Sequence, residues 1–383
     1  MLALPPLTLY VHIPWCIRKC PYCDFNSHEM GTELPQHQYV DALCADLEQE
    51  KLRCAERPLS SIFIGGGTPS LFEAESYARL LGFVREQFTL ADNAEITLEA
   101  NPGTADAGRF SEYRKLGINR LSIGVQSFND LHLQKLGRIH DSQQARQAID
   151  MARAAGFDNF NLDLMYGLPG QDVREAIADL QEAFAFAPPH LSWYQLTIEP
   201  NTVFYRRPPA LPIDELMEDM ERQGHTLIAD SGLLRYEVSA YARPGHVSLH
   251  NHNYWRFGDY IGIGAGAHGK LTLPAEDRIL RTRKLKQPLQ YLQATDNRDA
   301  ELADVGREQR AIEFLMNSLR LRKGFTARQF ETGTGLTFDA IAKRVEYLSG
   351  EGLLTISEHA DGQYYAATDK GYGLLNSLLE EFM

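Results

Sequence analysis

Short runs rich in apolar and β-branched residues recur through the first half of the chain, and between them apolar positions repeat at helical spacing. The runs Leu7 to Ile13, Ser61 to Ile64, Glu95 to Glu99, Arg120 to Val125, Asn159 to Met165 and Leu191 to Ile198 predict strands. The intervening stretches Gln38 to Cys54, Ser76 to Gln87, Ser142 to Ala155 and Val173 to Phe186 predict amphipathic helices. Strand and helix alternating at this length argue for parallel strands with crossover helices. Six units predict an incomplete TIM-like (β/α)6 barrel over residues 1–240, an α/β fold, with an open doubly wound sheet as the alternative. Such barrels work at the C-terminal ends of their strands. There the unusual residues cluster: Gly65-Gly66-Gly67-Thr68-Pro69, Glu99-Ala100-Asn101-Pro102, Gln126, Asp163 and Gln195.

The pattern changes near residue 306. Helical spacing over Glu308 to Leu321 and Asp339 to Ser349 is followed by two β-like runs, Leu353 to Ile356 and Gln363 to Thr368, and a last helix, Tyr372 to Phe382. Helices followed by a small hairpin predict a winged-helix-like α+β domain over residues 306–383, joined to the barrel by a connecting region, 241–305.

Charge decides against the usual work of a winged helix. Net charge is -13, and residues 337–383 carry three Lys/Arg (Lys343, Arg344, Lys370) against eight Asp/Glu. An acidic module is a poor phosphate binder, so nucleic acid is not an expected partner. The densest basic run, Arg278 to Lys286, reads as a solvated face. No run of about 18 apolar residues exists, so an integral membrane protein is not expected. The start lacks a basic n-region and carries Pro5, Pro6 and Pro14, which does not read as a signal peptide. The expected location is the cytoplasm, where thiols stay reduced.

Five cysteines are present, an odd number, which speaks against a disulfide framework. Cys44 and Cys54 fall in a predicted helix and read as small packed groups. The other three form the loop Cys16-Ile-Arg-Lys-Cys20-Pro-Tyr-Cys23. Thiolates ligate iron–sulfur clusters, often from one loop. Three cysteines fill three irons of a cubane and leave the fourth to a non-protein ligand. S-adenosylmethionine (SAM) can offer that iron an amino group and a carboxylate. Zinc is the competing reading, with His12 or His28 as a fourth ligand. Three buried structural thiols are the bland one.

On these residues the sequence resembles the radical SAM superfamily. Leu9 to Cys16, the GGGTPS run at 65–70, Gly124-Val125-Gln126-Ser127-Phe128 and Asn161 to Pro169 resemble the oxygen-independent coproporphyrinogen oxidases and their haem-chaperone relatives, nearly over the whole chain. The resemblance implies a [4Fe-4S] cluster on Cys16, Cys20 and Cys23, and SAM contacts from Tyr10, Tyr22, Gly66, Gly67, Thr68, Glu99, Gln126, Arg138 and Asp163. A carboxylate in an apolar strand is costly unless paired, and SAM offers an ammonium and hydroxyls to Glu99 and Asp163. Salt bridges inside the barrel would satisfy them equally; Gln126 could hold a loop and Arg138 could be solvated.

Two features separate oxidase from chaperone. The oxidases carry a fourth cysteine two residues after the third, where this chain has Phe25, and a longer segment before the loop than the fifteen residues here. His250-Asn251-His252-Asn253-Tyr254-Trp255 matches the HNxxYW motif of the chaperone branch. Imidazole is a common axial ligand of haem iron. The resemblance thus implies haem on His250, with His252 second, and Tyr254 and Trp255 against the porphyrin. It also implies handover to haem-receiving clients, respiratory enzymes at the membrane among them. A loop histidine held in a turn by its Asn neighbours is the alternative.

Overall fold

The computed structural model describes residues 1–360 and 362–383. The six expected strands are β1 (Leu7–Ile13), β2 (Leu59–Gly66), β3 (Leu90–Ala100), β4 (Arg120–Gln126), β5 (Phe160–Tyr166) and β6 (His190–Gln195). They lie in chain order, each parallel to the next. The helices α1 (Gln36–Lys51), α2 (Ala74–Gln87), α3 (Ala107–Lys115), α4 (Ser142–Ala154), α5 (Val173–Ala185) and α6 (Asp214–Asp230) follow the strands in turn. Capping boxes, Asp141 with Gln144 and Asp172 with Glu175, start α4 and α5 where the apolar spacing begins. β1 and β5 are buried along nearly their whole length, as covered parallel strands are.

The sheet does not stop at six. β7 (Ala240–Ala242) pairs antiparallel with β6. After a helix, α7 (Leu249–Trp255), strand β8 (Asp259–Ile263) lies parallel to β1 on its free side. β9 (His268–Leu273), β10 (Arg278–Lys284) and β11 (Asp299–Asp304) continue antiparallel beyond it, and with the two-residue strand Leu234–Arg235 the sheet counts twelve strands. Residues 241–305 thus add four whole strands, β8 to β11, to the same sheet as the barrel.

The basic run is therefore not a solvated face. It is β10, with Ile279, Leu280, Thr282 and Lys284 buried. Lys284 is enclosed by Asp46, Glu50 and Asp299 at 2.6–2.8 Å, a tie between α1 and the sheet edge. A lysine is tolerated there because its charge is matched on three sides.

The C-terminal unit comprises α8 (Arg310–Ser318), β12 (Phe325–Thr326), α9 (Ala327–Thr334), α10 (Asp339–Gly350) and the hairpin β13 (Leu354–His359) with β14 (Gly362–Ala367). This is the expected helix-then-wing arrangement, with its own core of Phe314, Phe325, Phe330 and Val345. Leu2 of the N-terminus joins that core. The expected last helix is two pieces, Asp369–Gly373 and Leu375–Glu380, broken beside Gly371 and Gly373. Cys44 packs against the main core from α1; Cys54 lies past its end, donating to the Glu50 carbonyl.

Candidate functional site

The cysteine loop leaves the C-terminal end of β1. Its stem is a short parallel ladder, Trp15–Cys16 against His28–Glu29, with His28 N–H donating to the Pro14 carbonyl and Met30 N–H to that of Cys16. Arg18 donates to the carbonyls of Gly137 and Arg138 on one side. Asn26 donates to those of Ala265 and Lys286 on the other. The loop is thereby stretched across the top of the sheet.

Below it lies a cavity of about 320 Å³. Cys16, Cys20, Cys23, Gly66, Gly67, Thr68, Glu99, Gln126, Arg138 and Asp163 all line it. Register explains the convergence. Glu99 stands opposite Ser122 on β4, Gly124 opposite Asp163 on β5, and Asp163 opposite Ser192 on β6. A bulge between Gly124 and Gln126 puts Gln126 in the left-handed region (φ 69°) at the end of β4. Its amide oxygen accepts from the Tyr194 hydroxyl at 2.8 Å.

The glycines are shaped by the protein itself. A Cβ on Gly66 would meet the His12 ring at 2.6 Å, and one on Gly67 the Trp15 carbonyl oxygen at 2.5 Å. Gly67 and Thr68 N–H groups donate to the carbonyls of Ile13 and Trp15, which zips the end of β2 to the cysteine loop. Gly66 N–H donates to Glu99 Oε2 at 3.0 Å.

Glu99 and Asp163 face the cavity with no cation in salt-bridge contact among the described residues. Burial, and then the neighbouring Asp163 charge, push the Glu99 carboxyl up to about 7. Burial also raises Asp163, although Asn161 and Ser122 donate to it at 2.8 and 3.1 Å. Two acids held in this way form a socket for a cation. The sulfonium and ammonium of SAM carry that charge, so the residues present fit it.

The thiols fit a cubane. Among the described residues no three His, Cys, Asp or Glu side chains gather around one point as a single ion requires. The three cysteines instead rim a cavity, and in a cubane each thiolate binds a different iron. All three are free of disulfides. Arg138 donates to Cys20 Sγ at 3.7 Å and to the Gly124 carbonyl at 2.8 Å, which sets a guanidinium against the cluster loop.

Two of the expected SAM residues do not line this cavity, although Tyr22 lies against Arg138 and Tyr10 near Glu99. Tyr22 packs among Leu136, Met165 and Phe204 behind the loop. Tyr10 bonds His12 Nδ1 at 2.9 Å and lines a second cavity. Gln195 does not line the first cavity either: it turns out to Met217, and its neighbour Tyr194 takes the inward place. Ser122, Ser192 and Tyr194 went unremarked in the sequence. Polar residues at alternate positions of an apolar strand were the signal.

The second cavity, about 720 Å³, shares Cys23 and Phe25 with the first. Tyr10, Phe25, Tyr254, Trp255, Phe257 and Tyr260 supply its aromatic wall. The HNxxYW motif is the helix α7, started by Ser248, whose hydroxyl accepts from Asn251 N–H. His250 points inward and is 1% exposed. Its Nδ1 meets the Ser61 hydroxyl at 2.9 Å and its Nε2 the Tyr254 hydroxyl at 2.7 Å. Burial lowers its pKa to about 3, so the ring is neutral. His252 lines a third cavity, between the N-terminal residues and α9.

Comparison with known proteins follows the same division. The sequence profile of the radical SAM superfamily matches residues 10–183, and that of the HemN C-terminal domain matches residues 305–372. The chain is 50% identical over 386 residues to the Heme chaperone HemW of Escherichia coli (strain K12), covering 100% of both. It is 49% identical to the Heme chaperone HemW of Haemophilus influenzae, covering 99% of this chain and 98% of that one. The solved coproporphyrinogen III oxidase HemN of Escherichia coli, a radical SAM enzyme, superposes with a TM-score of 0.82 at 25% identity, over 99% of this chain and 90% of that one.

Proposed function

Because the chain belongs to the radical SAM superfamily and, within it, to the family of the HemW heme chaperones, we propose that it binds haem and passes it to haem-dependent proteins. A [4Fe-4S] cluster on Cys16, Cys20 and Cys23, with SAM in the adjoining socket, belongs to the same reading. The observation that carries it is the pair of cavities on either side of Cys23 and Phe25: a small polar one with three thiols and two carboxylates, and a larger one walled by aromatic side chains. A flat apolar macrocycle suits the second, since aromatic faces give it large contact area.

When bound, the cluster supplies an electron to the SAM sulfonium. The protein's own residues do the placing. Glu99 and Asp163 hold the cationic end of SAM, Gln126 and Ser122 offer hydrogen bonds beside it, and Arg138 fixes Cys20. Phe25, where the oxidases have a further cysteine, is exposed between the cavities and offers an apolar surface in place of a thiol. The clients are taken to be respiratory enzymes at the membrane, reached from the cytoplasm. No helix among the described residues is long and apolar enough to cross a membrane.

Anaerobic reconstitution tests the reading. The reconstituted protein, given coproporphyrinogen III, SAM and reductant, is expected to yield no decarboxylated product. Titrated with haem, it is expected to develop a saturable Soret band. Decarboxylation, or no haem binding, would overturn it.

A further inference from the structure

Haem iron needs an imidazole nitrogen with a free lone pair. Four histidines stand near the aromatic cavity, and they differ in this respect. His12 has Nδ1 on the Tyr10 hydroxyl and Nε2 on the Asn26 carbonyl, both at 2.9 Å. His250 has both nitrogens engaged and is buried behind Tyr254. His252 belongs to the third cavity. His268, the first residue of β9, lines the aromatic cavity, is exposed, and makes no ring hydrogen bond or ion pair among the described residues.

The rim around His268 is basic. Arg283 is its cross-strand partner on β10, and Arg281 and Lys286 follow on the same side of the cavity mouth. Arg281 is committed to Glu313 and the Tyr260 hydroxyl, and Arg283 to Glu301. Lys286 is exposed with no side-chain partner among the described residues. Lys19, on the cluster loop, also lines the cavity and is exposed. Its ammonium donates to the carbonyls of Phe25 and Ser27 at 3.0 and 3.1 Å, which leaves it one further N–H. A porphyrin with two carboxylates would meet an aromatic wall on its faces and, at its edge, the unpartnered Lys286 and the remaining donor of Lys19.

We infer that the aromatic cavity seats haem with His268 as the axial ligand and with Lys286 and Lys19 meeting the propionates. This rests on the haem-chaperone reading above. Ligation is a simple exchange: the imidazole lone pair forms the Fe–N bond, water leaves the iron, and no electron moves. Partial burial, then Arg283, Lys286 and Arg281, lower the His268 pKa, so the ring is available in its neutral form. A ligand at the open rim can be released to a client without opening the barrel, whereas one at His250 would require Ser61 and Tyr254 to be given up first. His250 then serves to hold Tyr254 in the cavity wall.

The test uses the full-length reconstituted protein, titrated with ferric protoporphyrin IX and, separately, with metal-free protoporphyrin IX. His268→Ala is expected to lose at least tenfold in affinity for the iron porphyrin, with a shifted Soret band that added imidazole restores. Its affinity for the metal-free porphyrin is expected to stay at the wild-type value. Lys286→Glu is expected to weaken both porphyrins. If His268→Ala keeps the wild-type Soret band and affinity while His250→Ala loses them, the assignment is overturned and the chaperone reading stands. If the wild-type protein binds neither porphyrin, that reading falls with it. An unchanged SAM response of the cluster in His268→Ala establishes that the variant is folded.

Discussion

The two cavities share Cys23 and Phe25 but are built differently. The polar one takes its residues from the ends of consecutive parallel strands and one contiguous loop. The aromatic one is assembled from the loop, α7, the added strands β8 to β10 and even Asn317 of the C-terminal unit. The first is tuned by burial: its carboxylates are held apart from solvent and from counter-charge until a cation arrives. The second is tuned by access, with aromatic walls and its basic groups at an open rim. Tight retention of a cofactor suits the first construction, and reversible cargo suits the second.

The sharpest way to separate them is to remove a thiol. Replacement of Cys16, Cys20 or Cys23 by Ala is expected to abolish the iron–sulfur absorbance after reconstitution while metal-free porphyrin still binds. Loss of both together would break the distinction. Next is Glu99→Gln, expected to weaken SAM by roughly tenfold or more in calorimetry. The same change should stabilise the SAM-free protein at alkaline pH. A carboxyl raised to about 7 favours the fold only while protonated, so its contribution is lost as pH rises through about 7, and Gln cannot ionise. The gain in urea unfolding at pH 8 is expected to be about 1–2 kcal/mol, allowing for water in the cavity.

His250→Ala is expected to cost about 2–3 kcal/mol in the same measurement, because it leaves Ser61 and Tyr254 without their partner. It should also flatten the acid limb. His250, His12 and His140 have pKa values lowered to about 3, 4 and 4, so they stay neutral in the fold while the unfolded chain takes up protons below about pH 6.5. Stability therefore falls as pH drops from 6.5 towards 4, and removing His250 is expected to reduce that slope by about 1 kcal/mol per pH unit. Phe25→Ala should have the smallest effect. The side chain is 60% exposed, so stability is expected to change by less than about 0.5 kcal/mol, with a few-fold loss of porphyrin affinity.

The same contrast explains what was legible in the sequence. Cys16, Cys20 and Cys23 sit within eight residues, and Glu99, Gln126 and Asp163 interrupt apolar strands at their ends, where parallel register brings them together. The aromatic cavity leaves a thinner trace: Tyr254 and Trp255 were marked by their motif, and the rest of the wall was not. β8 is five residues long and pairs with β1 from about 250 residues away, a contact that no local pattern encodes. β10 reads as a polar run because its inward lysine is neutralised by acids from α1 and β11, which become neighbours only once the sheet forms. His250 was visible as part of a motif, but Tyr254, one turn on and on the same face of α7, stands between its ring and the cavity. His268 carries no motif at all, and only the ladder with β10 gives it its basic surroundings.

On the proposed reading, Cys16, Cys20 and Cys23 hold a cubane whose remaining iron is open to SAM in the Glu99–Asp163 socket. Electron paramagnetic resonance of the reduced, anaerobically reconstituted protein, recorded with and without SAM, tests it most directly. The expected result is a [4Fe-4S]⁺ signal that changes on SAM addition in the wild type and needs roughly tenfold more SAM to change in Glu99→Gln. A signal indifferent to SAM in the wild type, or zinc in place of iron and sulfide, would contradict it.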